Sequence, residues 1–160
     1  IEKFIPPQKG RKHVLYIIRE LLDFKPQGNR TNVGMALEYL VKIMTKRSIA
    51  FVLSDFLTTD DYSRPLMVAA RKHDVVALHL YDQCMASLPD IGLTKVTDAE
   101  TGHEQYLDTS SKATRQHQQK WWQAHNEELA TRFSKSKVDY TSIATDADYV
   151  RPLMNLFAQR

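Results

Sequence analysis

The run Ser48-Ile49-Ala50-Phe51-Val52-Leu53-Ser54-Asp55 constrains this chain more than any other segment. It is continuous and apolar, too short to make a helix of its own, and it stops at a carboxylate. Such a run reads as a strand buried on both faces, the habit of parallel sheets. Parallel neighbours are joined by crossover connections, usually helices. In open sheets of this kind ligands bind beyond the carboxyl ends of the strands. The run therefore points to an α/β fold and places a site at Asp55.

The flanking segments supply the rest of the pattern. A second strand, Asp74–Tyr81, ends at Asp82. A third, Val138–Ile143, is rich in β-branched and aromatic residues and ends at Thr145-Asp146. Residues 10–25 read as an amphipathic helix with Val14, Ile17, Ile18, Leu21 and Leu22 on its core face, stopped by Pro26-Gln27-Gly28. Thr31 takes the N-cap position of a helix over 32–45, whose stripe is Val33, Ala36, Leu37, Leu40 and Met44. Asp60 and Asp61 open a helix over 61–72, where acids suit the positive helix end. Residues 93–97 and 103–107 alternate around Asp98-Ala99-Glu100-Thr101-Gly102 and read as a hairpin. A long polar helix covers 110–136. A last helix buries Tyr149, Val150, Leu153, Met154 and Phe157, with Thr145 and Asp148 as a capping box and Pro152 forcing a late start or a kink. Ile1–Ile5 reads as a strand end stopped by Pro6-Pro7. Helices alternating with three strands predict a sandwich with a mostly parallel sheet, plus the small hairpin.

Composition narrows the classes. The 160 residues are enough for one domain, and 42% hydrophobic with 26% charged residues is ordinary for a globular protein. No apolar run approaches the ~20 residues of a membrane helix, and no signal-peptide pattern is present. The single cysteine, Cys84, permits no internal disulfide and fits a reducing cytoplasm. The net charge of +3 is mild for a nucleic-acid binder. The first residue is Ile, so the chain reads as part of a longer protein.

The strand ends carry the candidate chemistry. Parallel strands bring Asp55, Asp82 and Asp146 to one rim, and the start of the helix after Thr31 faces the same rim. Carboxylate and hydroxyl oxygens suit a hard cation such as Mg²⁺; aspartates at such positions also cap helices and turns. The histidines His13, His73, His79, His103, His117 and His125 make no zinc motif. His79, inside a strand, reads as structural. No spacing gives Cys84 a base, and Gly28 lacks the companions of a phosphate loop. In 111–137, basic residues surround Trp121 and Trp122, a mixture that can track single strands. Glu127 and Glu128 interrupt it, however, and Trp122, His125, Leu129 and Phe133 form a stripe suited to packing on the sheet. An exposed Trp121 would mark a partner surface.

These residues resemble a known pattern. Gly28-Asn29-Arg30-Thr31-Asn32-Val33-Gly34-Met35-Ala36-Leu37 and Phe51–Asp55 resemble the second and third parts of the metal-ion-dependent adhesion site of von Willebrand factor A domains. The whole chain resembles the C-terminal half of the bacterial domain-of-unknown-function family fifty-eight. It does so through Phe4–Arg11, Leu53–Phe56, Arg71–Val75, Asp98–Gly102, Asp108–Ser110 and Asp148–Leu153. The resemblance implies a von Willebrand A-like domain over 1–160 that lacks its N-terminal strands, with sheet order 3-2-1-4-5-6 in the complete family fold. It implies metal-site positions at Thr31 and Asp55, with Mg²⁺ in the full-length parent. The Asp-x-Ser-x-Ser motif that supplies the primary ligands is absent, so this piece is expected to hold no metal. A MoxR-type AAA ATPase is the implied partner, in the assembly or maturation of other proteins.

The functional expectation is a non-catalytic, cytoplasmic interaction module. With the central strand of the family fold absent, the strand at 49–54 is expected to self-associate into a homodimer. Two other readings stay open: a metal-assisted hydrolase using Asp55 and Asp82, and a nucleic-acid binder using helix 110–136.

Overall fold

The computed structural model describes residues 1–28, 31–98 and 101–160. In chain order the elements are α1 (Arg11–Asp23), α2 (Val33–Ile43), β1 (Ile49–Ser54), α3 (Ser63–Lys72), β2 (Asp74–Tyr81), α4 (Gln83–Ala86), β3 (Leu93–Thr97), β4 (Glu104–Asp108), α5 (Lys112–Ser136), β5 (Asp139–Ala144) and α6 (Val150–Ala158). The fold is α/β. A three-stranded parallel sheet runs β1-β2-β5, helices flank it, and β3-β4 form a separate antiparallel hairpin. Ala99 and Glu100 of the expected hairpin turn lie outside the described residues, as do Asn29 and Arg30.

The strand buried on both faces is β2, not β1. Val75, Val76, Ala77, Leu78 and His79 are all buried, because β2 has a neighbour on each side: Val52 pairs with Ala77 and Ala77 with Tyr140. In contrast, β1 stands at an edge and alternates, with Ile49, Phe51 and Leu53 exposed and Ala50 and Val52 half-buried. A continuous apolar run does not distinguish these two environments; strand position in the sheet does.

One face of the sheet carries the main core. Val33 and Leu37 of α2, Leu66 and Ala69 of α3, and Leu129 and Phe133 of α5 close over Val75 and Ala77, with Ala50 and Val52 at the margin. The expected stripe of α5 holds: Leu129 and Phe133 are buried and Trp122 and His125 half-buried. Among the described residues the other face is covered by α6, which buries Leu156 against Val76 and Leu78 with Leu153 beside them. Tyr149, Val150, Met154 and Phe157, expected inside, are exposed, since α6 meets the sheet along one narrow line.

Most of the expected core face of α1 is also in solvent: Val14, Ile18, Leu21 and Leu22 are exposed and Ile17 is half-buried. Leu21 is 76% and Leu22 81% exposed, and no residue of α1 is buried. Glu20 of α1 pairs with Lys3, and beyond the helix end the Glu2 carboxylate accepts from the Gln27 and Gly28 N–H groups, both at 2.9 Å. Ile1–Ile5 is not a strand. It runs against α2, with Phe4 edge-on to Tyr39 at 6.0 Å.

Several termini differ from expectation by local chemistry. Asn32, not Thr31, caps α2, its side-chain oxygen accepting from Met35 N at 2.7 Å. The Thr145–Asp148 capping box does not form: Tyr149 is the N-cap, Asp148 accepts from Val150 N at 2.9 Å, and Thr145 N donates to Tyr81 O at 2.9 Å. The late start of α6 is present and puts Pro152 in the first turn, where a missing N–H costs little. The short α4 has no periodicity to announce it; Asp82 caps it through Cys84 N at 2.7 Å. No helix among the described residues is long and apolar enough to cross a membrane.

Candidate functional site

Because β1, β2 and β5 are parallel, Asp55, Asp82 and Asp146 follow strand ends on one rim. The entrance of α2 is docked on that rim. Thr58 Oγ1 donates to the Thr31 carbonyl at 3.3 Å, and the Asn32 amide donates to Asp60 at 3.1 Å. The loop that begins at Asp55 thus holds the segment that begins at Thr31.

Asp55 is kept exposed by a sharp turn. Its Oδ1 accepts from Leu57 N at 3.1 Å and from Ser54 Oγ at 3.5 Å, while Ser54 Oγ accepts from Phe56 N at 3.0 Å. Phe56 has φ 53°, a left-handed conformation seldom taken by a bulky residue. Packing over-determines it: the buried Phe56 ring lies 5.1 Å from Phe133, 5.9 Å from Tyr62 and 6.2 Å from His79. The chain therefore leaves the sheet abruptly after Asp55.

At the β2 end, Asp82 and Asp146 both act on Cys84. The hydrogen bond with Asp82, then the charges of Asp82 and Asp146, push the thiol pKa up, which makes Cys84 a poor nucleophile. Beneath the rim sits an aromatic nest. His79, 1% exposed, places Nδ1 3.1 Å from Ser142 Oγ, and its ring lies 5.5 Å from Tyr81, 5.6 Å from Trp122 and 6.0 Å from His125. Burial, helped by nearby His125, lowers the His79 pKa to about 4 against the pull of Asp55. Burial also lowers that of His125, opposed by Glu128, a hydrogen bond with the Asp55 carbonyl and the Asp55 charge. Both imidazoles are neutral at pH 7. Trp121, 41% exposed, stacks on His125 at 5.5 Å with planes 5° apart.

Sequence reasoning assigned His79 a structural role and put His125 on the packing stripe, but did not join them. The signal was present in part: Trp121, Trp122 and His125 share adjacent positions on one helical face, and His79 lies one strand repeat before Tyr81.

Mg²⁺ takes a near-octahedral shell of oxygens. Thr31 and Asp55 offer one hydroxyl and one carboxylate, and that carboxylate already holds a backbone N–H. Among the described residues no group of three or more His, Cys, Asp or Glu comes together.

Taken together, the fold and the rim define an α/β protein with a short parallel sheet, an acidic carboxyl edge and an aromatic nest behind it. This chain belongs to the family described as protein of unknown function DUF58, whose model matches residues 1–128. It is 27% identical over 158 residues to the uncharacterized protein Mb1516 of Mycobacterium bovis and to the uncharacterized protein Rv1480 of Mycobacterium tuberculosis, covering 98% of this chain and 50% of each relative. The uncharacterized protein MAV169 of Mycobacterium avium is also 27% identical over 158 residues, and there the match covers 93% of the relative. The chain thus spans about half the length of the first two relatives. No solved structure matches.

Proposed function

We propose that this chain is a non-catalytic protein-interaction module that binds through surfaces its own fold leaves uncovered. One observation carries the reading: exposed large apolar side chains gather on two faces. One is the α1 stripe of Val14, Leu15, Ile18, Leu21 and Leu22; the other is the β1–α6 face with Ile49, Phe51, Leu53, Met154 and Phe157. Contiguous exposed apolar patches mark interaction sites, and a 13-residue helix with no buried residue is marginal in water without something to pack on. The partner implied by the family resemblance is a MoxR-type AAA ATPase acting in the assembly or maturation of other proteins. Thr31 and Asp55 are a remnant of an adhesion-type metal site, and Mg²⁺ belongs to the longer parent protein.

Calorimetric titration of the chain with a MoxR-type ATPase tests the reading. Saturable binding that weakens in Leu21→Glu/Leu22→Glu is expected, since both side chains are exposed and their change leaves the core intact. No binding by the unmodified chain would contradict it. Turnover of phosphoester or ester substrates, abolished by Asp55→Ala, would replace it with the hydrolase.

A further inference from the structure

We propose that the amino-terminal rim of the sheet, where Lys42, Lys46, Arg47, Arg71, Lys135 and Lys137 stand together, is a docking face for an anionic lipid surface. It lies at the end of the molecule opposite Asp55 and is separate from the protein-binding faces described above. The first argument is register. The strands are parallel, with Ile49 beside Asp74 and Val76 beside Asp139. Counting back from these pairs, Lys46 and Arg47 come level with Arg71 and Lys72, and Lys137 with Asp74. Helices α2, α3 and α5 end at the same rim, and Lys42, Arg71 and Lys135 occupy their last turns. Neighbouring strands lie about 4.8 Å apart, so the three strand starts span about 10 Å. Further strands beside β1 would lengthen this rim without covering it.

The second argument is charge. Cations in a last turn or at a C-cap complement the helix dipole, which accounts for Lys42, Arg71, Lys135 and Lys137. It does not account for Lys46 and Arg47, which follow the end of α2. Nor do local acids absorb the charge. Asp74 and Asp139, at the starts of β2 and β5, are both taken by Arg160. All six cations are exposed, and among the described residues none of their side chains enters an ion pair. Lys9, Arg11 and Lys12 approach the same end, since Ile5 and Pro7 lie against Ile43 and Met44 at the foot of α2. The chain as a whole carries only +3. The balance is made at the far rim, where Asp55, Asp60, Asp61, Asp82, Asp146 and Asp148 gather. A molecule with opposite charge at its two ends is turned basic end first by a negative surface.

The third argument selects the occupant. Helix C-termini present carbonyls to this rim, not the N–H groups that cradle a bound phosphate. No aromatic residue occurs in 42–47, 71–72 or 135–137 to stack a base. What remains is an array of side-chain tips spread in two dimensions over strand starts and helix ends. Lipid headgroups lie in a plane and impose no fixed spacing, whereas nucleic-acid phosphates follow a line. Docked in this way, the chain turns Asp55 and the exposed Trp121 away from the lipid.

Sedimentation of the 160-residue chain with vesicles of phosphatidylserine and phosphatidylcholine tests the proposal. Binding should rise with phosphatidylserine content, be absent on phosphatidylcholine alone, and fall between about 0.1 M and 1 M salt as screening shortens. Lys46→Gln/Arg47→Gln and Lys135→Gln/Lys137→Gln should each weaken it about twenty-fivefold, roughly fivefold for each cation removed. Lys112→Gln/Lys120→Gln takes the same charge from the other half of α5 and should bind like the native chain. All these positions are exposed, and circular dichroism checks that each variant is folded. No sedimentation at any phosphatidylserine content overturns the proposal. So does an equal loss in Lys112→Gln/Lys120→Gln, which would make net charge alone responsible. Duplex DNA held more tightly than vesicles through Lys46, Arg47, Lys135 and Lys137 would also overturn it, in favour of a nucleic acid.

Discussion

On one face of the β1-β2-β5 sheet, α2, α3 and α5 close over Val75 and Ala77 and take Phe133 to 0% exposure. On the other face, among the described residues, α6 buries Leu156 against Val76 and Leu78, and Phe51 stays 46% exposed. The residue types are alike on both sides. What differs is whether this chain provides enough helix to cover them. The covered face is a core; the uncovered face has the composition of a core and the exposure of an interface.

The strongest way to break this contrast is to truncate matching aromatics. Phe133→Ala should cost about 3–5 kcal/mol in urea unfolding, the range for a fully buried phenylalanine, because it also removes the support of Phe56 and Tyr140. Similar losses for Phe51→Ala would erase the distinction.

Acid should attack the covered side next. The His79 pKa is depressed, to about 4 from 6.5. Above pH 6.5 the ring is neutral folded or unfolded, and stability does not depend on it. As pH falls from 6.5 towards 4, the unfolded chain takes the proton first and stability falls, at no more than about 1.4 kcal/mol per pH unit for this residue. His125 acts in the same direction. Melting temperatures across this window should drop in the native chain and drop less steeply in His79→Gln. An equal slope in both would mean that other groups set the acid response.

The smallest effect belongs to the uncovered face. Leu53→Ser should change the stability of the chain by less than about 0.5 kcal/mol, as exposed substitutions do, while lowering binding of a hydrophobic dye. A loss of several kcal/mol would show that Leu53 is internal after all.

The fold was legible because strand runs and helical stripes are local signals. The three parallel strands, the hairpin and the Leu129–Phe133 stripe all appear where periodicity puts them. Coverage is not local. Nothing within Ile49–Ser54 says that β1 has one neighbour while β2 has two. Nothing in Val14–Leu22 says that its apolar stripe finds no sheet. End chemistry fell between these extremes: Asn32 and Thr31 are both good caps, and tertiary contacts from Thr58 and Asp60 decided between them. Of the rim, Asp55, Asp82 and Asp146 were readable as strand ends. The His79–His125 nest was not, because its members lie on a strand and a helix far apart in sequence.

Hydrogen exchange at single residues of β1 tests the central claim, that this chain covers one side of its sheet and not the other, most directly. The Ser48 carbonyl accepts from Asp74 N and so faces β2, and the direction alternates along an extended strand. The amides of Ala50 and Val52 should therefore be protected, and those of Ile49, Phe51 and Leu53 open. Odd-numbered amides protected as strongly as the even-numbered ones would contradict it.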